Sequence, residues 1–312
     1  MANEKDWCAR MNSIWLFCRK IAVGLIFVVV LIISTIAARM LQCKDAFDET
    51  YRLKDDDKIL VIGSSQAGCS FNRKDGYRIL WVEASPPQIV MFRLQEFIAR
   101  NKRQDNLRLV VTDFGPQTFC LQSKERTPRF WYREFPLTLP HICDMPCSYF
   151  DFLTFIVTNL QMPFNFNQRW DGGGRPSLAD KSDEWKKEML QVDLKSHYYH
   201  YADSTINFGD WKERTVSPYL AMQEICNQNN LRLVVLVSPT TRYYQESIPE
   251  VANAVFAEAC KFLSDKGVCI VDLRTLNLDD VFFCDAIHLT EAGADRVGDA
   301  FWKEVKRMGV GL

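Results

Sequence analysis

Residues 59–65 have the sequence Ile-Leu-Val-Ile-Gly-Ser-Ser, and this stretch decides the fold. Its four apolar residues, mostly β-branched, predict a short strand that is covered on both faces. Gly63 permits a sharp turn at the end of the strand, and ligands bind beyond the carboxyl ends of parallel strands. Ser65 therefore occupies the position of a nucleophile, whereas the plainer interpretation of Gly-Ser-Ser is a loop that caps a helix.

Further apolar runs and amphipathic segments follow this strand along the chain. Three runs at residues 107–114, 231–237 and 268–273 have the same composition and predict three more buried strands. Helical patterns are predicted at 86–100, 218–229, 249–264 and 290–308. Strands that alternate with helices indicate an α/β fold with a central parallel sheet.

The interval 121–217 interrupts this alternation and is predicted to be an insertion. It is long, lacks β-branched runs and is rich in aromatic residues, whose rings either stack on sugar faces or fill the core of a cap. The aromatic residues of this interval include Trp131, Tyr132, Trp170, Trp185, Tyr198, Tyr199, Tyr201 and Trp211.

An uncharged apolar stretch at residues 21–38 predicts a membrane-spanning helix. At about 1.5 Å per residue it reaches about 27 Å, close to the thickness of a hydrocarbon core. A buried core helix is the alternative, but such a helix rarely carries apolar residues on every face. A cleaved signal peptide is a further alternative, although its apolar region would be unusually long.

The charges that flank this stretch predict its orientation. Arg10, Arg19 and Lys20 precede it, so the positive-inside rule places residues 1–20 in the cytoplasm. Residues 39–57 are polar and are predicted to be a solvated stalk. Residues 58–312 then form the extracytoplasmic domain of a single-pass membrane protein.

A second polar motif lies near the end of the chain, where residues 283–294 read Phe-Cys-Asp-Ala-Ile-His-Leu-Thr-Glu-Ala-Gly-Ala. Asp285 and His288 are three residues apart, just before a predicted helix. This spacing lets the carboxylate orient one ring nitrogen while the other accepts a proton from a serine. An Asp and a His in this position can also simply cap the helix.

Both motifs, in this order, resemble the first and last blocks of SGNH/GDSL-type hydrolases. The resemblance implies a flavodoxin-like three-layer α/β sandwich in which Ser65, Asp285 and His288 form a catalytic triad. Ser64 stands where the family usually has Asp, but membrane-anchored relatives that act on cell-envelope polymers similarly have Gly-Ser-Ser.

The resemblance also implies an oxyanion hole, which we assign to Ser65, Gly115 and Gln117. Gly115-Pro116-Gln117 follows the second buried run, and Gln117 replaces the Asn that the family usually has there. Its amide is a donor but is one methylene longer. The family's middle glycine block is not recognisable, and Trp81 to Ser85 occupies its expected place.

The sequence thus favours a serine esterase or O-acyltransferase that acts through an acyl-enzyme on an acylated glycan or another cell-envelope polymer. The alternative is a non-catalytic scaffold that binds glycan or a partner membrane protein. A net charge of −1 gives no reason to expect nucleic-acid binding.

No cofactor and no metal are expected from the sequence. The His141, Cys143 and Cys147 group lacks a fourth ligand, and His197 and His200 have no carboxylate or cysteine at ligand spacing.

Overall fold

The computed structural model of this chain describes residues 4–72, 76–101, 106–120, 127–145, 148–159, 177–202 and 212–309. Its strands are β1 (Ile59–Gly63), β2 (Tyr77–Trp81), β3 (Leu109–Asp113), β4 (Arg232–Val237) and β5 (Cys269–Asp272). Its helices are α1 (Glu4–Thr50), α2 (Ser65–Cys69), α3 (Pro87–Arg100), α4 (Thr127–Arg133), α5 (Phe135–Thr138), α6 (Tyr149–Thr158), α7 (Asp183–Ala202), α8 (Ser217–Gln228), α9 (Arg242–Ser247), α10 (Glu250–Asp265) and α11 (Glu291–Arg307).

The five strands form one parallel sheet in the order β2-β1-β3-β4-β5. This is the flavodoxin-like order, so the predicted fold class is confirmed. The order reverses direction on the two sides of β1, where Val61 pairs with Ile79 of β2 and with Val111 of β3. A crevice forms at such a switch point, beyond the carboxyl ends of β1 and β3.

Alternate side chains of β1 enter two different cores, as the two-residue period of a strand requires. Leu60 and Ile62 belong to a core that contains residues of α3, α8 and α10. Ile59 and Val61 belong to a second core on the opposite face, which is closed by residues of α11. Helices therefore cover both faces of the sheet, which gives the predicted three layers.

The four predicted strands and the four predicted helices are all present, and the sequence-based prediction missed only one strand of the sheet. That strand, β2, lies at the edge of the sheet and contains the charged Arg78. The Arg78 guanidinium donates hydrogen bonds to the carbonyls of Glu49 and Thr50, at 2.6 and 2.5 Å. The charged Arg78, which binds the carbonyls at the end of α1, interrupts the apolar pattern that predicted the other strands.

Helix α1 includes the predicted membrane span and continues beyond it. Among the described residues it is the one helix that is long and apolar enough to cross a membrane. The prediction of a solvated stalk at 39–57 needs correction, because the helix runs on to Thr50 and two aromatic residues of this segment, Phe47 and Tyr51, are buried in the core of the domain. The end of α1 is therefore packed against the domain instead of being held away from it by a flexible linker.

The described part of the predicted insertion is helical and is joined to the sheet domain by a buried ion pair. Arg93 of α3 contacts both carboxylate oxygens of Glu134 at 3.0 and 3.1 Å, and both side chains are almost wholly buried. Removal of one partner of such a pair leaves an uncompensated buried charge, at a typical cost of about 3–5 kcal/mol. The ion pair therefore fixes the insertion firmly on α3.

We expect Gly68→Ala to destabilise the protein by about 1–3 kcal/mol, the usual cost of overpacking a tight contact. A Cβ at this position would lie 2.4 Å from the ring of Trp81, which holds α2 against β2. Denaturant unfolding of the full chain in detergent measures the change. The matched control is Gly298→Ala in α11, where a Cβ meets nothing within 4 Å and where alanine favours the helix by about 0.5–1 kcal/mol. Equal stabilities for the two variants would contradict this packing.

Candidate active site

Ser65 lies at the switch point of the sheet, immediately after the turn that follows β1. It is the first residue of α2 and is partly exposed. Ser64 before it caps this helix, because its hydroxyl accepts a hydrogen bond from the Gln66 backbone N–H at 3.2 Å. The turn therefore serves as a helix cap and also presents the Ser65 hydroxyl at the edge of the sheet.

Asp113, the last residue of β3, holds this turn in place. Its carboxylate accepts a 2.8 Å hydrogen bond from the Ser64 N–H and a second hydrogen bond from the Ser64 hydroxyl. Position 63 has to be glycine, since a Cβ there would lie 2.0 Å from Asp113 Oδ1. Burial raises the pKa of Asp113, and the hydrogen bonds from Ser64 oppose that rise.

The loop that carries the candidate base is fixed by its own backbone. An antiparallel bridge joins Phe283 to Leu289, and the Cys284 N–H donates to the His288 carbonyl at 2.8 Å. The N–H of Thr241, just beyond β4, donates to the Ala286 carbonyl at 3.0 Å. These bonds connect the loop to the strand ends and bring it over the turn that follows β1.

The three residues predicted as a triad are joined by hydrogen bonds. His288 Nε2 lies 2.9 Å from Ser65 Oγ, and His288 Nδ1 lies 2.7 Å from Asp285 Oδ2. The other oxygen, Asp285 Oδ1, accepts the N–H groups of Ile287 at 3.0 Å and of His288 at 2.8 Å. A proton on Nδ1 is therefore held by the carboxylate, which leaves Nε2 to accept the serine proton.

The electrostatics around Asp285 favour its ionised form. Burial acts to raise the pKa of Asp285, but the nearby His288 and the hydrogen bonds from His288 and from the backbone outweigh burial, so the pKa is lowered. The carboxylate is thus charged at neutral pH and can stabilise an imidazolium at His288.

Helix α7 of the insertion packs over this loop. Leu190 and Leu194 contact the small apolar cluster that contains Ala286 and Ile287. Asp193, on the same helix, lies close enough to interact with the charges of the triad. Burial, reinforced by the nearby carboxylate of Asp285, raises the pKa of Asp193 to about 6, although His288 opposes the rise.

The predicted oxyanion hole is only partly supported by the positions of its members. The Gly115 N–H donates to Thr118 Oγ1 at 3.1 Å, so this donor is engaged within its own turn. The buried Gln117 amide nitrogen contacts the Gln66 side-chain oxygen, next to the turn that carries Ser65. An amide nitrogen has two hydrogens, so Gln117 retains a second donor. Gly115 is therefore disfavoured as a donor in this conformation, while Ser65 and Gln117 stay predictions.

The side chains of the alternative metal groups are only partly described. His141 is stacked on the ring of Phe92 with a centroid distance of 3.9 Å, and Cys143 is exposed. Cys147 and the side chains of His197 and His200 lie outside the described residues. Within the part of the chain that the structure describes, no group of three or more His, Cys, Asp or Glu residues could hold a metal ion.

The eight tryptophan and tyrosine residues named above from the predicted insertion fall into three groups. Trp131 and Tyr132 are buried in the core and cannot form a surface for sugar rings. Trp185 is partly buried against the second core. The remaining side chains lie outside those that the structure describes, namely Trp170, Tyr198, Tyr199, Tyr201 and Trp211.

Asp113, Gln66 and Asp193 are site residues that sequence reasoning did not identify. A signal existed for Asp113, since it ends an apolar strand at the edge of the sheet where ligands bind, although Asp272 ends β5 in the same way. Gln66 directly follows the proposed nucleophile and could have been suspected for that reason. No sequence signal distinguishes Asp193, because it is one acidic residue among several on α7.

Comparison with known proteins gives structural neighbours only. Neither a protein-family model nor a curated protein matches the sequence. A Bacteroides thetaiotaomicron GDSL-like lipase is 9% identical with a TM-score of 0.41, and the alignment covers 82% of this chain and 91% of that one. The lipase/acylhydrolase of Enterococcus faecalis is 10% identical with a TM-score of 0.38, over 81% of this chain and 96% of that one.

A third similar structure, from a Bacteroides fragilis protein with a provisional acylhydrolase assignment, is 10% identical with a TM-score of 0.42, over 82% of this chain and 89% of that one. Likeness at this level carries no information about substrate or mechanism, so the function has to be inferred from the site itself.

The raised pKa of Asp193 leads us to expect a pH-dependent effect of Asp193→Asn on stability. The unfolded chain releases this proton near pH 3.8 and the folded chain near pH 6, so the folded state loses stability as pH rises between these values. Asn has no such proton. Asp193→Asn should therefore unfold at a higher denaturant concentration than the wild type at pH 7.5, and the difference should disappear below about pH 4.

Unfolding of the full chain in detergent, followed from pH 4 to pH 8, measures this difference. Glu188→Gln is the matched control, since Glu188 is exposed in the middle of the same helix, and its stability should stay close to that of the wild type. A constant difference between Asp193→Asn and the wild type across this range would contradict the raised pKa.

Proposed function

We propose that this protein is a serine esterase or O-acyltransferase whose nucleophile is Ser65. The observation that carries the proposal is the continuous chain of hydrogen bonds from Asp285 through His288 to Ser65, at 2.7 and 2.9 Å. It lies at the carboxyl edge of a parallel sheet, where α/β proteins bind their ligands. A nucleophile, a base within hydrogen-bonding reach and a group that orients the base are the parts that nucleophilic catalysis needs.

The reaction would proceed in two halves. His288 Nε2 takes the Ser65 hydroxyl proton as Ser65 Oγ attacks the ester carbonyl carbon and forms a tetrahedral adduct. The adduct expels the alcohol, which leaves with the proton held by His288, and Ser65 remains acylated. Water or a sugar hydroxyl then attacks the acyl carbonyl carbon while its proton passes to His288. The second adduct breaks its bond to Ser65 Oγ, which takes that proton from His288, and releases the free acid or the acylated sugar. Water as acceptor makes the protein an esterase, and a sugar hydroxyl makes it a transferase.

Stabilisation of the tetrahedral oxyanion would fall to the Ser65 N–H and to the side-chain amide of Gln117. The Ser65 N–H is at the start of α2, where backbone N–H groups have no acceptor within the helix. Gln117 would have to point its second amide hydrogen, or reorient the first, towards the oxyanion. Loss of one such donor typically raises the barrier by about 3–4 kcal/mol. The rate should therefore depend strongly on whether the Gln117 amide donates a hydrogen bond to the oxyanion.

The substrate class follows from the position of the domain. If α1 spans the membrane with residues 1–20 in the cytoplasm, the site lies outside the cytoplasm, close to the membrane. Large O-acylated polymers, such as envelope or capsular polysaccharide, are then more accessible than soluble metabolites. Other membrane proteins that deliver or modify the polymer would be natural partners.

One observation favours the second candidate function, a non-catalytic scaffold for glycan or for a partner membrane protein. Two of the candidate oxyanion donors are engaged by neighbours, the Gly115 N–H by Thr118 and the Gln117 amide by Gln66. A chain that has lost catalysis could keep the fold with these groups internally bonded. The two functions differ in whether Ser65 is reactive.

A fluorophosphonate probe distinguishes the two functions by covalent labelling of the full chain in detergent. We expect labelling of the wild type and its loss in Ser65→Ala, since phosphonylation needs the activated hydroxyl. Ser264→Ala is the matched control and should retain labelling, because Ser264 is exposed near the end of α10, outside the turn of Ser65 and the loop of His288. No labelling of a folded wild type, together with retained glycan binding, would support the scaffold.

Asp285→Asn should lower the rate of ester hydrolysis by about 10⁴-fold, the effect typical of replacing the carboxylate of such a triad. Asn retains an oxygen for the N–H groups of Ile287 and His288, so the loop should stay folded. It cannot hold the proton on Nδ1 as a carboxylate does. Hydrolysis of a soluble p-nitrophenyl ester measures the rate.

The matched control for that experiment is Asp279→Asn, an exposed carboxylate in the segment before the triad loop that should keep the wild-type rate. Unfolding curves of both variants show whether the fold is retained. A rate for Asp285→Asn close to that of the wild type would exclude the proposed role of the carboxylate.

A further inference from the structure

Helix α6 presents an apolar surface that the described domain leaves uncovered. At about 100° of rotation per residue, its side chains fall into three arcs around the helix axis. Phe152 and Ile156 lie in the arc that is buried in the core. The next arc is apolar and exposed. Its members are Tyr149, Phe150, Leu153 and Val157, with exposed fractions of 55, 78, 56 and 52%.

The third arc of α6 is polar and faces water. It consists of Asp151, Thr154 and Thr158, all of them exposed. Helix α6 therefore has a buried face that packs on the domain and a polar face that is exposed to water. Its third face is apolar but is exposed as well. A contiguous exposed apolar face of this kind marks an interaction with another apolar phase.

Helix α6 lies beside the outer end of the predicted membrane span. Phe155 of α6 packs against the ring of Tyr132, with a centroid distance of 6.0 Å, and the Tyr132 side chain is hydrogen-bonded to Arg39 of α1. Arg39 is the first charged residue after the uncharged stretch 21–38. Ile32 and Ile36, near the end of that stretch, pack against the same core that contains Phe152 and Ile156.

We propose that the apolar arc of α6 inserts into the interfacial layer of the bilayer beside α1. The helix would lie on the membrane with its buried face towards the domain and its polar arc towards water, as amphipathic interfacial helices do. This inference rests on the proposal that α1 spans the membrane. The occupant is lipid, because α6 lies beside α1, whose apolar window is exposed in the structure and would be surrounded by lipid if α1 spans the membrane.

Insertion of α6 would fix the orientation of the domain relative to the membrane. The end of α1 is already held in the core by Phe47 and Tyr51, so the domain cannot swing freely around it. A second contact at α6 would also prevent rotation about the axis of α1. The domain would then work at one fixed height and tilt above the bilayer.

Photolabelling from within the bilayer tests this proposal on the full chain. The protein is reconstituted into phosphatidylcholine and phosphatidylglycerol vesicles that contain a lipid with a diazirine in its acyl chain. After irradiation, peptide mass spectrometry locates the adducts. We expect adducts within residues 21–38 and also on Phe150, Leu153 or Val157, whereas Asp151 and Thr158 should carry none.

A pair of variants on adjacent residues provides the control. Leu153→Glu should lose the adducts on α6 and retain those in residues 21–38. Thr154→Glu places the same charge on the polar arc and should retain both sets. Adducts in 21–38 without adducts on α6 in the wild type would overturn the proposal while leaving the membrane anchor intact. Absence of both sets would show that the anchor itself is wrong.

Discussion

The hydrogen bonds between Asp113 and Ser64 are the constraint on which the candidate site depends. They join the carboxyl ends of β1 and β3 at the point where the strand order reverses. The 2.0 Å approach of Asp113 Oδ1 to a Cβ position at residue 63 leaves room only for glycine. A tight turn, a capped helix and an outward-facing Ser65 follow from this single contact. Tyr219 of α8 also holds the end of β3 in place, since its hydroxyl donates to the Asp113 carbonyl at 2.7 Å.

The site has two halves that lie 223 residues apart in the sequence, counted from Ser65 to His288, and each half is ordered by its own set of hydrogen bonds. The Ser65 turn is fixed by the contact with Asp113, and the His288 loop is fixed by its own backbone bridge and by Thr241. Helix α7, from the predicted insertion, packs over the His288 loop and places Asp193 as an acidic neighbour of the triad.

Local patterns account for what could be predicted from the sequence. Buried strands and amphipathic helices repeat at fixed periods, and both halves of the triad are short motifs, so β1, β3, β4, β5 and the Ser65, Asp285 and His288 cluster could be anticipated. Strand β2 was missed because Arg78 serves the end of α1. The contact of Asp113 with Ser64 is a tertiary contact, and the bond from Gly115 to Thr118 depends on the conformation of an irregular turn. No periodicity in the sequence encodes either of them. The prediction of a solvated stalk failed because of a tertiary contact as well, since Phe47 and Tyr51 become buried only when the core of the domain has formed around them.

The central claim is that Ser65 becomes covalently acylated, and the most direct measurement is the location of the acyl group. The full chain is mixed with p-nitrophenyl acetate, quenched in acid within the first turnover and digested for peptide mass spectrometry. We expect an acetyl ester on Ser65 in step with a burst of p-nitrophenol. A folded chain with no acetyl ester on Ser65, or with the ester on Ser64 instead, would contradict the claim.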